Sequence, residues 1–137
     1  MDHKRYRYPH MLPRDARIWN HFLEQHGEYF DYFRYDIHVG EGIGEISGYP
    51  ENIARLAKTL TQKRIDAVGY RGGEIWLFEI KPMAGLSAIG QILSYYSLYN
   101  KDFPDRPATY KAIVTDRTDN DIRYMCKEYS IRLYEVG

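Results

Sequence analysis

Lys63-Arg64-Ile65-Asp66-Ala67-Val68-Gly69-Tyr70-Arg71-Gly72-Gly73-Glu74-Ile75-Trp76-Leu77-Phe78-Glu79-Ile80-Lys81 decides the fold, because it holds two strands and the turn between them. Residues 63–70 and 74–81 are rich in β-branched and aromatic side chains, the composition that suits a pleated surface. Two glycines supply the positive φ angles of a tight hairpin. With Gly72-Gly73 as a two-residue loop, opposed positions sum to 145, which sets Asp66 across from Glu79 and Arg64 across from Lys81. Opposed residues of an antiparallel pair share a face, with Cβ atoms roughly 4.5–5.5 Å apart. Lys81 falls on the same face, about 6.8 Å further along.

Trp76, Phe78 and Ile80 alternate with Ile75, Leu77 and Glu79. A strand apolar on both sides is central and covered above and below. Two carboxylates facing each other there repel, and burial disfavours their charged forms. A divalent cation would turn that repulsion into coordination, and carboxylates with a carbonyl and waters suit Mg2+. The competing account is a salt-bridge cluster in which Lys81 neutralises both acids at the sheet rim. A longer turn would move Asp66 off Glu79.

Outward from the hairpin, Ile18, Trp19, Phe22 and Leu23 with Gly27 behind them predict a helix over residues 15–26. Phe33, Tyr35, Ile37 and Val39 alternate with polar residues as in a half-buried strand. Residues 40–50 read as a glycine-rich loop beside the site, since Glu45 stands where a G-x-G-x-x-G nucleotide motif needs its third glycine. A helix over 51–61 follows, with Ile53, Leu56 and Leu60 expected to face inward. Next come a helix over 86–99 with Leu86, Ile89, Leu93 and Tyr96 as its stripe, and a strand over 108–115. Thr118 and Asp121 resemble a capping box for a helix reaching 129 with Cys126 in its core face, and a strand closes the chain over 131–136. The order α-β-(α)-β-β-α-β-α-β implies a mixed sheet with helices on both faces.

The chain has 137 residues, the size of one domain spanning 1–137, with a basic, aromatic N-terminal arm over 1–14. One cysteine excludes an internal disulfide and a four-cysteine zinc site. The longest apolar stretch is too short for a membrane span, and the N-terminus lacks a signal-peptide core. A soluble, intracellular (cytoplasmic) protein with no membrane partner is expected. Nineteen basic and nineteen acidic residues balance, so overall charge does not point to nucleic acid. Locally, Arg55, Lys58, Lys63 and Arg64 occur in residues 52–65 without an acid. Such a patch binds phosphate even on a neutral protein, or is simply a solvated face.

Ile65-Asp66-Ala67-Val68, then Glu79-Ile80-Lys81, then Gln91-Ile92-Leu93-Ser94-Tyr95 resemble the PD-(D/E)XK nuclease superfamily, whose restriction-endonuclease-like αβββαβ core matches the order above. The resemblance spans roughly residues 15–115. It implies an α/β (α+β) fold and an Mg2+- or Mn2+-dependent deoxyribonuclease. Asp66 and Glu79 would then be metal ligands together with the Ile80 main-chain carbonyl. Lys81 would position the attacking water and stabilise the phosphorane. Gln91 and Tyr95 would contact phosphate or a water of the metal. Ile65 stands where the motif has proline. Superfamily members often carry an acid on the first helix; Asp15 reads more simply as a helix cap and Glu24 as a solvated position. The implied substrate is DNA, cut at structures (junctions, flaps or ends) in repair, recombination or phage and mobile-element biology. Tyr-rich surfaces suit a homodimer. The alternative is a non-catalytic nucleic-acid- or protein-binding module that keeps the fold.

Overall fold

The computed structural model of the chain describes residue 8, residues 10–43 and residues 48–137. Most of the N-terminal arm and the middle of the glycine-rich loop, residues 44–47, lie outside these. Five strands form one mixed sheet in the order β1-β2-β3-β4-β5: β1 (Tyr32–Val39), β2 (Lys63–Arg71), β3 (Glu74–Met83), β4 (Tyr110–Arg117) and β5 (Ile131–Glu135). The first two pairings are antiparallel and the last two parallel. The helices are α1 (Pro13–His26), α2 (Glu51–Thr61), α3 (Leu86–Asp102) and α4 (Asn120–Glu128). The fold is α+β, with its central strand β3 covered on both faces.

Helix α1 covers one face. Proline at its start suits the first turn, where the missing N–H costs nothing. Its stripe of Ile18, Trp19 and Phe22 is wholly buried against Ala67, Trp76, Phe78 and Ile80. Trp19 meets Phe78 edge to face at 5.1 Å and donates its indole N–H to the Tyr35 hydroxyl at 3.1 Å, so its one polar atom is satisfied inside the core. Gly69 allows this layer to close, because a Cβ there would lie 2.9 Å from the Phe30 ring. Helices α3 and α4 cover the other face, packing Ala88, Ile89, Ile92, Ile122 and Cys126 against Ile65, Val68, Leu77 and Ile113.

Several expectations change. On α3 the buried stripe is Ala88, Ile89, Ile92, Tyr95 and Tyr99, while Leu86 is exposed. The helix is therefore turned by about one position from the predicted stripe, which carries Tyr95 inward. Asp119, not Thr118, caps α4, its carboxylate accepting the Ile122 N–H at 3.0 Å. Thr118 instead donates to the Ala84 carbonyl at 2.7 Å. Asp15 caps nothing: α1 begins two residues before it, behind Leu12 as the capping residue. Helix α2 shows the largest difference. Only Ala54 is buried, and Ile53, Leu56 and Leu60 are 45%, 54% and 62% exposed. An amphipathic stripe reports a face that can be buried, and here both faces of the sheet are already covered by other helices.

Candidate active site

The hairpin has the predicted register over five pairs, from Arg71↔Glu74 to Ala67↔Phe78. Gly72 supplies the positive φ, at 54°, and its N–H donates to Asp31 Oδ2 at 2.8 Å. The ladder then stops one pair short of Asp66 and Glu79, and Arg64 does not pair with Lys81. From there β3 continues alongside β4 instead, with Lys81 opposite Thr115. On the other side of β2, the β1 ladder skips Asp36 and Asp66, and Asp36 has a left-handed φ of 56°. This kink breaks the alternation of β2: Ile65 and Val68 join the core under α3, and Ala67 joins the core under α1.

Asp66 is released from the ladder by this irregularity. Its Oδ2 accepts the Ile80 N–H at 2.9 Å. Its carboxyl group also meets that of Glu79, so that one carries a proton the other accepts. The two acids thus come together, through a side-chain bond to the neighbouring strand rather than as cross-strand partners. Glu79 is 3% exposed. Burial is the first cause that raises both pKa values; the Asp66 charge raises Glu79 further, and Lys81 opposes both shifts.

Asp15, on the first turn of α1, reaches the same place. Its negative charge raises both carboxyl pKa values. Its own pKa is raised by partial burial, against the opposing Lys81 and Arg14. By local sequence Asp15 reads as a cap, and the first-helix acid of the resembling superfamily is the signal that points to it. From α3, one helical turn apart, Gln91 and Tyr95 close the site. The Tyr95 hydroxyl lies beside Glu79 and Gln91, with its pKa raised by burial and then by the two acids. Among the described residues two buried oxygens here have no donor, Glu79 Oε2 and Gln91 Oε1.

Unpartnered buried acceptors carry a cost of about 1–3 kcal/mol each, more when charged, so this pair marks a place where something is to be bound. Among the described residues no three His, Cys, Asp or Glu side chains form a cage by themselves. The donors present are two carboxylates and an amide oxygen, with room for waters, which fits an Mg2+-like ion that keeps part of its hydration. Ile80 sits between Glu79 and Lys81 with its side chain buried and its N–H on Asp66.

The basic patch expected to bind DNA divides. Arg55 pairs with Glu51 at 3.1 Å on α2, and Lys58 and Lys63 carry no ion pair among the described residues. Arg64 lies 3.8 Å from Asp36 and 3.1 Å from His10, turned toward β1 and away from Lys81.

No protein-family model and no curated protein sequence matches the chain. Two solved structures share its fold. One, a repair endonuclease from Pyrococcus abyssi, has a TM-score of 0.56 at 14% identity over 90% of this chain and 46% of its own. The other, a protein of unknown function designated AF1548, has a TM-score of 0.51 at 19% identity over 86% of this chain and 52% of its own. The chain therefore spans about half the length of each. Among the described residues no helix is long and apolar enough to cross a membrane.

Proposed function

We propose that this chain is a metal-dependent nuclease of the PD-(D/E)XK kind, hydrolysing DNA phosphodiester bonds at Asp66, Glu79 and Lys81. The observation that carries the reading is the buried Glu79 Oε2 without a donor, beside Asp66 and the equally unpartnered Gln91 Oε1. A fold held together by a structural salt bridge would leave no such oxygen. The fold shared with a repair endonuclease supports the same reading.

Asp66, Glu79 and the Ile80 carbonyl would hold Mg2+ or Mn2+, and Asp15 would raise the negative charge that favours the ion. The ion supplies Lewis acidity and offsets charge on the phosphate. Lys81, at the edge of the acids, orients the attacking water and stabilises the charge that grows on the phosphoryl oxygens. Gln91 offers its amide oxygen and Tyr95 its hydroxyl as a hydrogen-bonding edge for that water. The Tyr95 hydroxyl stays protonated, because burial and the two acids raise its pKa.

Cleavage of labelled DNA in Mg2+ or Mn2+ tests the reading, alongside calorimetric titration of the ion. Wild type should cut and bind, and Lys81→Ala should bind both metal and DNA but cut orders of magnitude more slowly. DNA binding without metal binding or cutting would favour the non-catalytic module.

A further inference from the structure

Beside the acids, where β3 and β4 end, the surface opens into a cavity of about 730 Å3 lined by Arg14, Pro82, Met83, Asp116 and Arg117. Arg14 precedes Asp15 on the first turn of α1, and Pro82-Met83 continue the strand directly from Lys81. The cavity therefore begins at the proposed reaction centre and leads away from it on the β4 side, opposite the edge that borders α2. Both arginines are exposed and neither forms an ion pair among the described residues, whereas Arg64 and Arg55 are engaged. Asp116 offsets only part of their charge. The floor is apolar, with Met83 60% exposed.

From this lining we infer a subsite for a single-stranded nucleic-acid segment, in which Arg14 and Arg117 hold backbone phosphates and Met83 receives a base. The inference rests on the nuclease reading and names the substrate class for it. A cavity of this volume lies in the range of small-ligand clefts. It takes one or two nucleotides and excludes a base-paired helix. Charge beside an exposed apolar surface suits a strand whose bases are unstacked, since single-strand sites combine a basic track with platforms for base faces. A duplex hides those faces and would present only phosphates to Met83. The thioether of methionine is polarisable and adapts to flat rings. The substrate this geometry favours is a frayed end, flap or single strand led over the arginines into the acids.

The test compares wild type, Arg14→Ala/Arg117→Ala, Met83→Ala and a charge-matched control, Lys101→Ala/Lys127→Ala. Binding of a fluorescent single-stranded thymidine oligonucleotide of about 12 nucleotides, within ordinary single-strand site sizes, is read by anisotropy in EDTA. Cleavage is read in Mg2+. The arginine pair should weaken binding at least about tenfold. It should also lower the log–log salt slope by roughly 1.4, two contacts at about 0.7 each on single strands. In cleavage, KM should rise with kcat nearly unchanged, the signature of lost uniform binding. Met83→Ala should weaken binding without moving the slope, and the control should move neither.

An arginine variant that binds and cuts like a competent wild type overturns the subsite and leaves the nuclease reading standing. So does an equal loss in the control, or tighter binding of a blunt duplex of the same length. A wild type that neither binds nor cuts any oligonucleotide overturns both.

Discussion

Replacing Asp66 by Asn tests the acid pair without any substrate. Two charged carboxylates about 4 Å apart repel by about 4 kcal/mol at an effective dielectric constant of 20. The pair avoids most of that by sharing a proton. Retaining the proton costs stability, about 1.4 kcal/mol for every pH step of one above the ordinary carboxylate range until the raised pKa is passed. Burial is the leading cause of both raised values and persists in the variant, so relief of repulsion is expected to stabilise by about 1 kcal/mol. The Asn carbonyl oxygen can still accept the Ile80 N–H that Asp66 accepts at 2.9 Å. Its amide can donate to the unpartnered Glu79 Oε2. In EDTA near neutral pH, melting followed by circular dichroism should therefore show the variant about 3–6 °C above wild type, on the usual scale for this size. Saturating Mg2+ should raise wild type by up to about 2.7 kcal/mol at a hundredfold excess over Kd, and the variant by much less. If Asp66→Asn melts lower than wild type and metal moves neither protein, the acids serve a structural ion pair with Lys81 and the proposed centre is wrong.

Metal-free wild type should lose stability as pH rises from the ordinary carboxylate range near 4 through neutrality. Both acids have raised pKa values, so the native state keeps protons that the unfolded chain has released; a denaturation midpoint that climbs over that range would contradict the shifts. Asp15→Asn should weaken Mg2+ binding severalfold in calorimetry while α1 stays intact, since the residue caps nothing; an unchanged affinity removes it from the site. Leu56→Ala and Leu60→Ala should each cost under about 1 kcal/mol, against about 3–5 kcal/mol for Phe22→Ala. Chemical denaturation distinguishes these, and a large loss at Leu60 would mean that the α2 stripe is buried in solution. Arg55→Ala with Lys58→Ala and Lys63→Ala should change the salt slope of DNA binding less than the Arg14→Ala/Arg117→Ala pair does, if the strand leaves on the β4 side; the opposite ranking would direct it over α2.

The hairpin could be read from residue types because its information is local. Gly72-Gly73 fixes the turn, the turn fixes the sum of 145, and that register holds for five pairs. The α1 stripe was equally legible, since Ile18, Trp19, Phe22 and Leu23 carry their own 3.6-residue period. The same period misled on α2. Amphipathicity states which side of a helix would be buried if a surface were offered, and only the arrangement of α1, α3 and α4 determines that none is.

The candidate site divides in the same way. Sequence by itself determined which side chains carry the chemistry: Asp66, Glu79 and Lys81 on adjoining strands, and Gln91 and Tyr95 one turn apart on the next helix. It did not determine how they meet. The kink at Asp36 and the end of the β2–β3 ladder let the Asp66 carboxylate turn to the Ile80 N–H, and α1 packing across the sheet carries Asp15 to the same acids. Arg14 and Arg117 lie 103 positions apart by their numbering and line one cavity because α1 starts where β4 ends. Local pattern encodes local geometry through backbone sterics and side-chain period. Contacts between distant segments depend on which faces remain free once the core has closed, and only the tertiary structure contains that.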